Sequence, residues 1–144
     1  MPEKDTSRRD VFFTPDDLRV AMTDWRAVGI GFLVMVVLSV IGLTIPGLGQ
    51  LTAGLVGGFV AGYLAGGGLL SGAWHGLLAG ALGGILAGLL LAIVVGLAGW
   101  ALGPVGGAIS AVAGAGVLFV AVAIAFLMAL ESAIVGAIGG LLNP

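Results

Sequence analysis

The sequence predicts an all-α protein: a four-helix transmembrane bundle packed through lanes of glycine, with a short N-terminal amphipathic helix at the membrane interface. Three observations predict it. The 104 residues from Ala27 to Leu130 contain no Asp, Glu, Lys or Arg. Breaks containing Pro or Gly divide that stretch into four apolar segments. Glycine recurs at every fourth position through two of them.

Composition sets the medium. The chain is 60% hydrophobic and 8% charged, against about a quarter charged in a soluble domain. All five basic residues (Lys4, Arg8, Arg9, Arg19, Arg26) and six of the seven acids lie within the first 26 residues. A span needs about 20 apolar residues, so the uncharged stretch holds about four spans in one membrane domain, residues 27–144, after an N-terminal segment, residues 1–26. The net charge of −2 is too small and too confined to one end for a nucleic-acid groove or capture of a charged substrate. The chain has no cysteine, which removes disulfides, thiol nucleophiles and thiolate metal sites. The first apolar run follows a mixed-charge segment and exceeds a signal-peptide core, so it is expected to stay in the mature protein.

The N-terminal segment divides in two. Residues 1–10 are polar and carry no periodic apolar face. Thr14, Pro15 and Asp17 then form an N-cap signal, with Asp in place of the usual Glu or Gln. Leu18, Met22 and Trp25 fall at i, i+4 and i+7, an apolar face for a helix lying on the membrane surface. Trp25 and Arg26 mark the headgroup depth, the indole at the interface and the guanidinium reaching water. Trp74 and Trp100 are the corresponding anchors further along.

The four spans are expected at about 27–45, 51–70, 76–98 and 108–130. "PGLGQ" at 46–50 and "GPVGG" at 103–107 separate the outer pairs, because Pro removes a donor and Gly relaxes the backbone; "GGLLSGAWH" separates the middle pair. Every Lys and Arg precedes the first span, and basic residues favour the cytoplasmic side. A multi-pass protein of the cell membrane follows, with both termini, Trp74 and His75 cytoplasmic.

The second and third segments read in tetrads, "LTAG LVGG FVAG YLAG" and "AWHG LLAG ALGG ILAG". Gly54, Gly58, Gly62 and Gly66 form one lane; Gly72, Gly76, Gly80, Gly84 and Gly88 form the other. In water each interior glycine costs an exposed helix about 1 kcal/mol relative to alanine, a heavy load on a stability of about 5–15 kcal/mol. In hydrocarbon the helix survives, because unwinding exposes peptide groups that lipid cannot hydrogen-bond. The bare lanes then let another backbone approach closely. Four residues advance a helix by about 400°, so each lane drifts about 40° per step and suits right-handed crossings near about −40°. The simplest arrangement is a hairpin whose two lanes face each other; the alternative pairs a lane with its copy in another subunit. Besides the lipid bilayer, the partner expected is a second copy or another membrane protein.

"DWRAVGIGF" (24–32), "PGLGQLTAGLVGGFVAGYLAGGG" (46–68) and "GAWHGLLAGALGGI" (72–85) resemble an uncharacterised family of small, glycine-rich, multi-span membrane proteins from haloarchaea. The resemblance covers most of the chain after residue 23. It implies four spans and carries no activity, ligand or site residue.

Chemistry has few places to reside. Glu131 is the sole charged residue beyond Arg26. Residues 108–142 as one helix would measure about 52 Å against about 30 Å of hydrocarbon, so the last segment must bend, tilt or leave the membrane. With 108–130 spanning, Glu131 sits at the interface and "SAIVGAIGGLLNP" lies along the surface or re-enters. A submerged carboxylate would favour protonation or a partner, with His75 and Arg26 the candidates. His75 reads as a hydrogen-bonded structural residue or as a proton carrier beside Glu131. Ser71 and His75 could meet on a helix turn, but no acid in that segment orients the imidazole. One His and one carboxylate fall short of a metal's usual protein ligands, and the glycines lack the Lys and strand-turn-helix setting of a phosphate loop. No cofactor is expected. Tyr63, Gln50 and Thr52 are scattered polar residues that define no pore. The leading expectation is a non-enzymatic protein with a structural or assembly role through close helix packing. The alternative is a small channel or transporter passing protons or cations by way of Glu131.

Overall fold

A computed structural model describes residues 22–45 and 48–144. All regular structure among them is helical: α1 (Trp25–Gly42), α2 (Leu48–Ala65), α3 (Gly68–Trp100) and α4 (Gly103–Leu142). Each is long and apolar enough to cross a membrane. The predicted surface helix before Trp25 falls almost wholly outside the described residues.

Local chemistry explains each boundary. Asp24 caps α1, its Oδ1 accepting from the backbone N–H groups of Arg26 at 2.9 Å and Ala27 at 3.3 Å, which satisfies two of the first turn's free donors. After α1, the Thr44 hydroxyl donates to the Ile41 carbonyl. Between α2 and α3 the chain reverses at Gly66, Gly67 and Gly68, with φ of 61°, 74° and 83°. Only glycine adopts that left-handed region freely, so the run of three is the breaker. The turn expected across "GGLLSGAWH" is therefore confined to its first glycines, and "LLSGAWH" belongs to α3. Between α3 and α4 the turn is Ala101–Leu102, ahead of the expected "GPVGG". Gly103 opens α4 at φ 87°, and Pro104 sits in the first turn, where a missing N–H costs no hydrogen bond.

The helices alternate in direction. Asp24 meets His75 and Met35 meets Gly83, so α1 and α3 are parallel; Gly58 meets Ser132 and Gly62 meets Gly136, so α2 and α4 are parallel. Residue 24 and the C-terminus consequently share one end of the molecule. Lengths fall in two classes. With 18 residues each, α1 and α2 measure about 27 Å; α3 with 33 residues and α4 with 40 measure about 50 and 60 Å. The α1 end at Leu43 lies level with Leu90 of α3, and the α3–α4 hairpin continues about 15 Å further to Trp100.

The interior is made of small residues. Ala27, Ala53, Ala61, Ala79, Ala125 and Ala129 are buried, and Val28 and Ser132 are the largest side chains fully enclosed. Large side chains point outward: Phe119 and Val112 are each 78% exposed. In water so continuous an apolar exterior would drive association. In a bilayer it is the surface that lipid wets, and close packing of small residues holds the helices together.

Candidate functional site

The two predicted lanes do not face one another. Both face α4. A methyl added at Gly58 would press on the Ser132 backbone and one at Gly62 on the backbone of Gly136. On the α3 side, Gly72 lies against Gly136 and Gly140, Gly76 against Ser132 and Gly136, Gly80 against Ala129 and Ser132, Gly84 against Ala125, and Gly88 against Ala121. The C-terminal half of α4 is thus wedged between α2 and α3. Gly139 completes the wedge against the Phe59 carbonyl and the Tyr63 amide. A Cβ at Gly136 would stand 2.6 Å from the Gly72 carbonyl oxygen, 2.9 Å from Gly76 Cα and 3.0 Å from the Gly58 carbonyl oxygen. No residue larger than glycine fits there without moving two helices.

Two lane positions behave differently from the rest. Gly54 is buried, yet a Cβ there would meet nothing within 4 Å; it borders a cavity. Gly66 lies past the end of α2 in the turn, beside the Asn143 carbonyl. The close approach of α2 to α1 uses Gly57 instead, which meets Gly31 and Met35.

Ser132 is the polar centre of the seam. It is completely buried, and its Oγ donates to the Gly76 carbonyl at 2.9 Å. Its segment, expected to lie along the surface or re-enter after Glu131, continues α4 as one helix to Leu142 and lies against the backbones of α2 and α3. The signal lay in the sequence: Ala121, Ala125, Ala129, Ser132, Gly136 and Gly140 run in steps of four with one step of three. Steps of four drift about 40° each, and a step of three turns the stripe back about 60°, so it stays on one face. Asn143 fastens the far end by donating from Nδ2 to the Tyr63 carbonyl at 2.9 Å.

His75 is 2% exposed. Its Nε2 accepts from the Asp24 backbone N–H at 2.8 Å, and its Nδ1 lies 2.7 Å from the Ser71 carbonyl. A backbone N–H can only donate and a carbonyl can only accept, so the ring is the neutral tautomer with its proton on Nδ1. Beside it, the Trp74 indole N–H donates to the Thr23 hydroxyl at 3.0 Å. Together the two bonds tie the start of α1 to α3. The Ser71 hydroxyl lies 3.4 Å from the same Nδ1, and the shorter contact, from the Ser71 carbonyl, holds the imidazole.

The remaining candidates stand apart. Glu131 is half-buried on α4 beside Ser132, and no hydrogen bond or ion pair among the described residues joins it to His75 or Arg26. Trp25 and Arg26 are exposed at the start of α1, Trp74 is half exposed and Trp100 is exposed at the tip of the α3–α4 hairpin. From Trp74 to Trp100 is about 39 Å of helix, close to the roughly 40–45 Å of a bilayer with its headgroups. No cluster of three metal-binding side chains occurs among the described residues.

Four apolar helices, an interior of glycine, alanine and serine, and an exterior of large hydrophobic side chains define a multi-pass helical membrane protein. The chain belongs to the DUF5518 family, described as a family of unknown function, whose pattern matches residues 25–142. No curated protein and no solved structure matches it.

Proposed function

We propose that this is a non-enzymatic structural protein of the cell membrane, with both termini cytoplasmic, whose biochemical property is close helix packing and which assembles with further copies of itself or with another membrane protein. The haloarchaeal source implied by the sequence resemblance belongs to the same proposal. One observation carries it: the polar and conformationally costly residues of the spans are used to bring backbones together. Ser132 bonds across the seam, His75 holds the start of α1 through Nε2 while Nδ1 is fixed by Ser71, and the lane glycines of α3 lie against α4. The same bare-backbone chemistry continues on the α3–α4 hairpin beyond the short pair, where Gly96, Gly114 and Gly116 face nothing within 4 Å, and there it would serve a second chain.

The experiment compares reconstituted vesicles with and without protein. Proton or cation flux indistinguishable from that of the Glu131→Gln variant supports the assembly reading, as does an oligomer that Gly96→Leu dissociates. A reproducible flux lost in Glu131→Gln would replace this reading with the transport alternative.

A further inference from the structure

One lane glycine that packs against nothing marks a different kind of place. Gly54 of α2 faces a half-open cavity of about 270 Å³ whose wall is drawn from all four helices: Met35 and Ser39 of α1, Gln50 and Gly54 of α2, Gly83 of α3 and Met128 of α4 are part of it. Along the rest of α2 the lane is filled by α4. Here the absent side chain leaves space. The wall is apolar apart from Ser39 and Gln50. The neighbouring hydroxyls of Thr44 and Thr52 are returned to carbonyls of their own segments, at Ile41 and Leu48. Among the described residues no such bond occupies Ser39 or Gln50. A half-buried primary amide and hydroxyl at the edge of an apolar space offer a donor and acceptors to whatever occupies it.

We propose that this cavity binds the chain of a single-chain amphiphile with an uncharged head, a long-chain alcohol or ester of fatty or isoprenoid type, whose head oxygen hydrogen-bonds to Gln50 and Ser39. Chemistry selects this ligand. The apolar wall and the adaptable thioethers of Met35 and Met128 suit an alkyl chain of variable shape. A half-open cavity just below the roughly 300–1,000 Å³ of typical small-molecule sites matches one alkyl chain better than the two tails of a diacyl lipid. Among the described residues no Lys or Arg borders it, so a carboxylate or phosphate head would meet no cation there, whereas a neutral hydroxyl or carbonyl matches both polar groups. The proposal does not rest on the assembly reading, since the cavity lies within one chain.

The test uses full-length protein in phosphatidylcholine vesicles, photolysed with a long-chain alcohol carrying a diazirine at its terminal carbon, and peptide mass spectrometry to place the label. Labelling of the segments holding Met35 and Met128 should saturate and be displaced by unlabelled alcohol. Gly54→Leu, whose side chain enters the empty space, should reduce that labelling at least tenfold while leaving the thermal midpoint and oligomer size unchanged. In Gln50→Leu the preference for the alcohol over the matching diazirine alkane should vanish. Non-saturable label concentrated on outward residues such as Phe119 and Phe126, or a wild-type pattern that Gly54→Leu does not alter, would overturn the site. Equal labelling of the wild type by alkane and alcohol would overturn the head group. The competition arm needs no variant, so a destabilised Gly54→Leu protein would not shield the proposal. Failure here would leave vesicle flux and oligomer size, on which the assembly reading is judged, untouched.

Discussion

Replacing Gly136 by alanine adds one methyl group at the point where three helices come closest. That methyl would sit 2.6 Å from the Gly72 carbonyl oxygen, 2.9 Å from Gly76 Cα and 3.0 Å from the Gly58 carbonyl oxygen. All three neighbours are backbone, so no rotamer change relieves them. Reaching an ordinary contact of 3.4 Å requires α4 to retreat by about 0.8 Å from α3 and about 0.4 Å from α2. A gap of about 0.5–1 Å already forfeits a quarter to a half of each dispersion contact along the seam. The cost therefore belongs at the upper end of the roughly 1–3 kcal/mol seen for overpacking. Gly54→Ala is the internal control, with nothing within 4 Å of its new methyl. It is expected to be neutral or to stabilise by about 0.4–1 kcal/mol through reduced chain freedom. Both variants would be unfolded in bicelles by denaturing detergent, with helix content as the readout and wild type alongside. Equal stabilities for the two alanine variants, within about 0.5 kcal/mol, would refute the claim that bare backbone at Gly136 holds α2, α3 and α4 together.

The other predictions follow from the same contacts. Ser132→Ala should cost about 0.6 kcal/mol and at most about 1.7 kcal/mol, because the Gly76 carbonyl retains its helical donor. Ser132→Val should cost more, about 1–3 kcal/mol, since Gly58 and Gly80 leave room only for a serine; the same unfolding assay ranks the two. His75→Ala removes the acceptor of the Asp24 N–H, a loss of about 1–3 kcal/mol for an unsatisfied group. It should appear as roughly tenfold faster amide exchange at Asp24 for each 1.4 kcal/mol, with exchange in the middle of α4 unchanged.

The chain joins two short helices to two long ones, the last of 40 residues and about 60 Å. α1 and α2 flank only part of the long pair, and the α3–α4 hairpin projects past them. Trp74 and Trp100 then fall about one full bilayer apart along α3. The expectation that the last segment bends, tilts or leaves the membrane rests on its length alone. In the structure the residues after Glu131 continue the helix, with Ser132, Gly136 and Gly140 buried against the neighbouring helices.

How much of this was legible depends on which property each residue reports. The medium, the helical class and the count of four came from the absence of charge between Ala27 and Leu130 and from the breaks at "PGLGQ", "GGLLSGAWH" and "GPVGG". These are local consequences of solvation and backbone freedom, and the sequence carries them in full. The capacity for close approach was equally plain in the lanes. What the lanes would approach was not. In a soluble helix the apolar face points to the core, but these helices are apolar all round, and a glycine states only that a backbone can come near. Choosing α4 as the common partner of Gly58, Gly62, Gly72 and Gly76, leaving Gly54 over empty space and turning His75 to the start of α1 were decided by tertiary structure. The reason is that contact partners are set by the relative lengths, directions and offsets of whole helices, and no single segment contains that information.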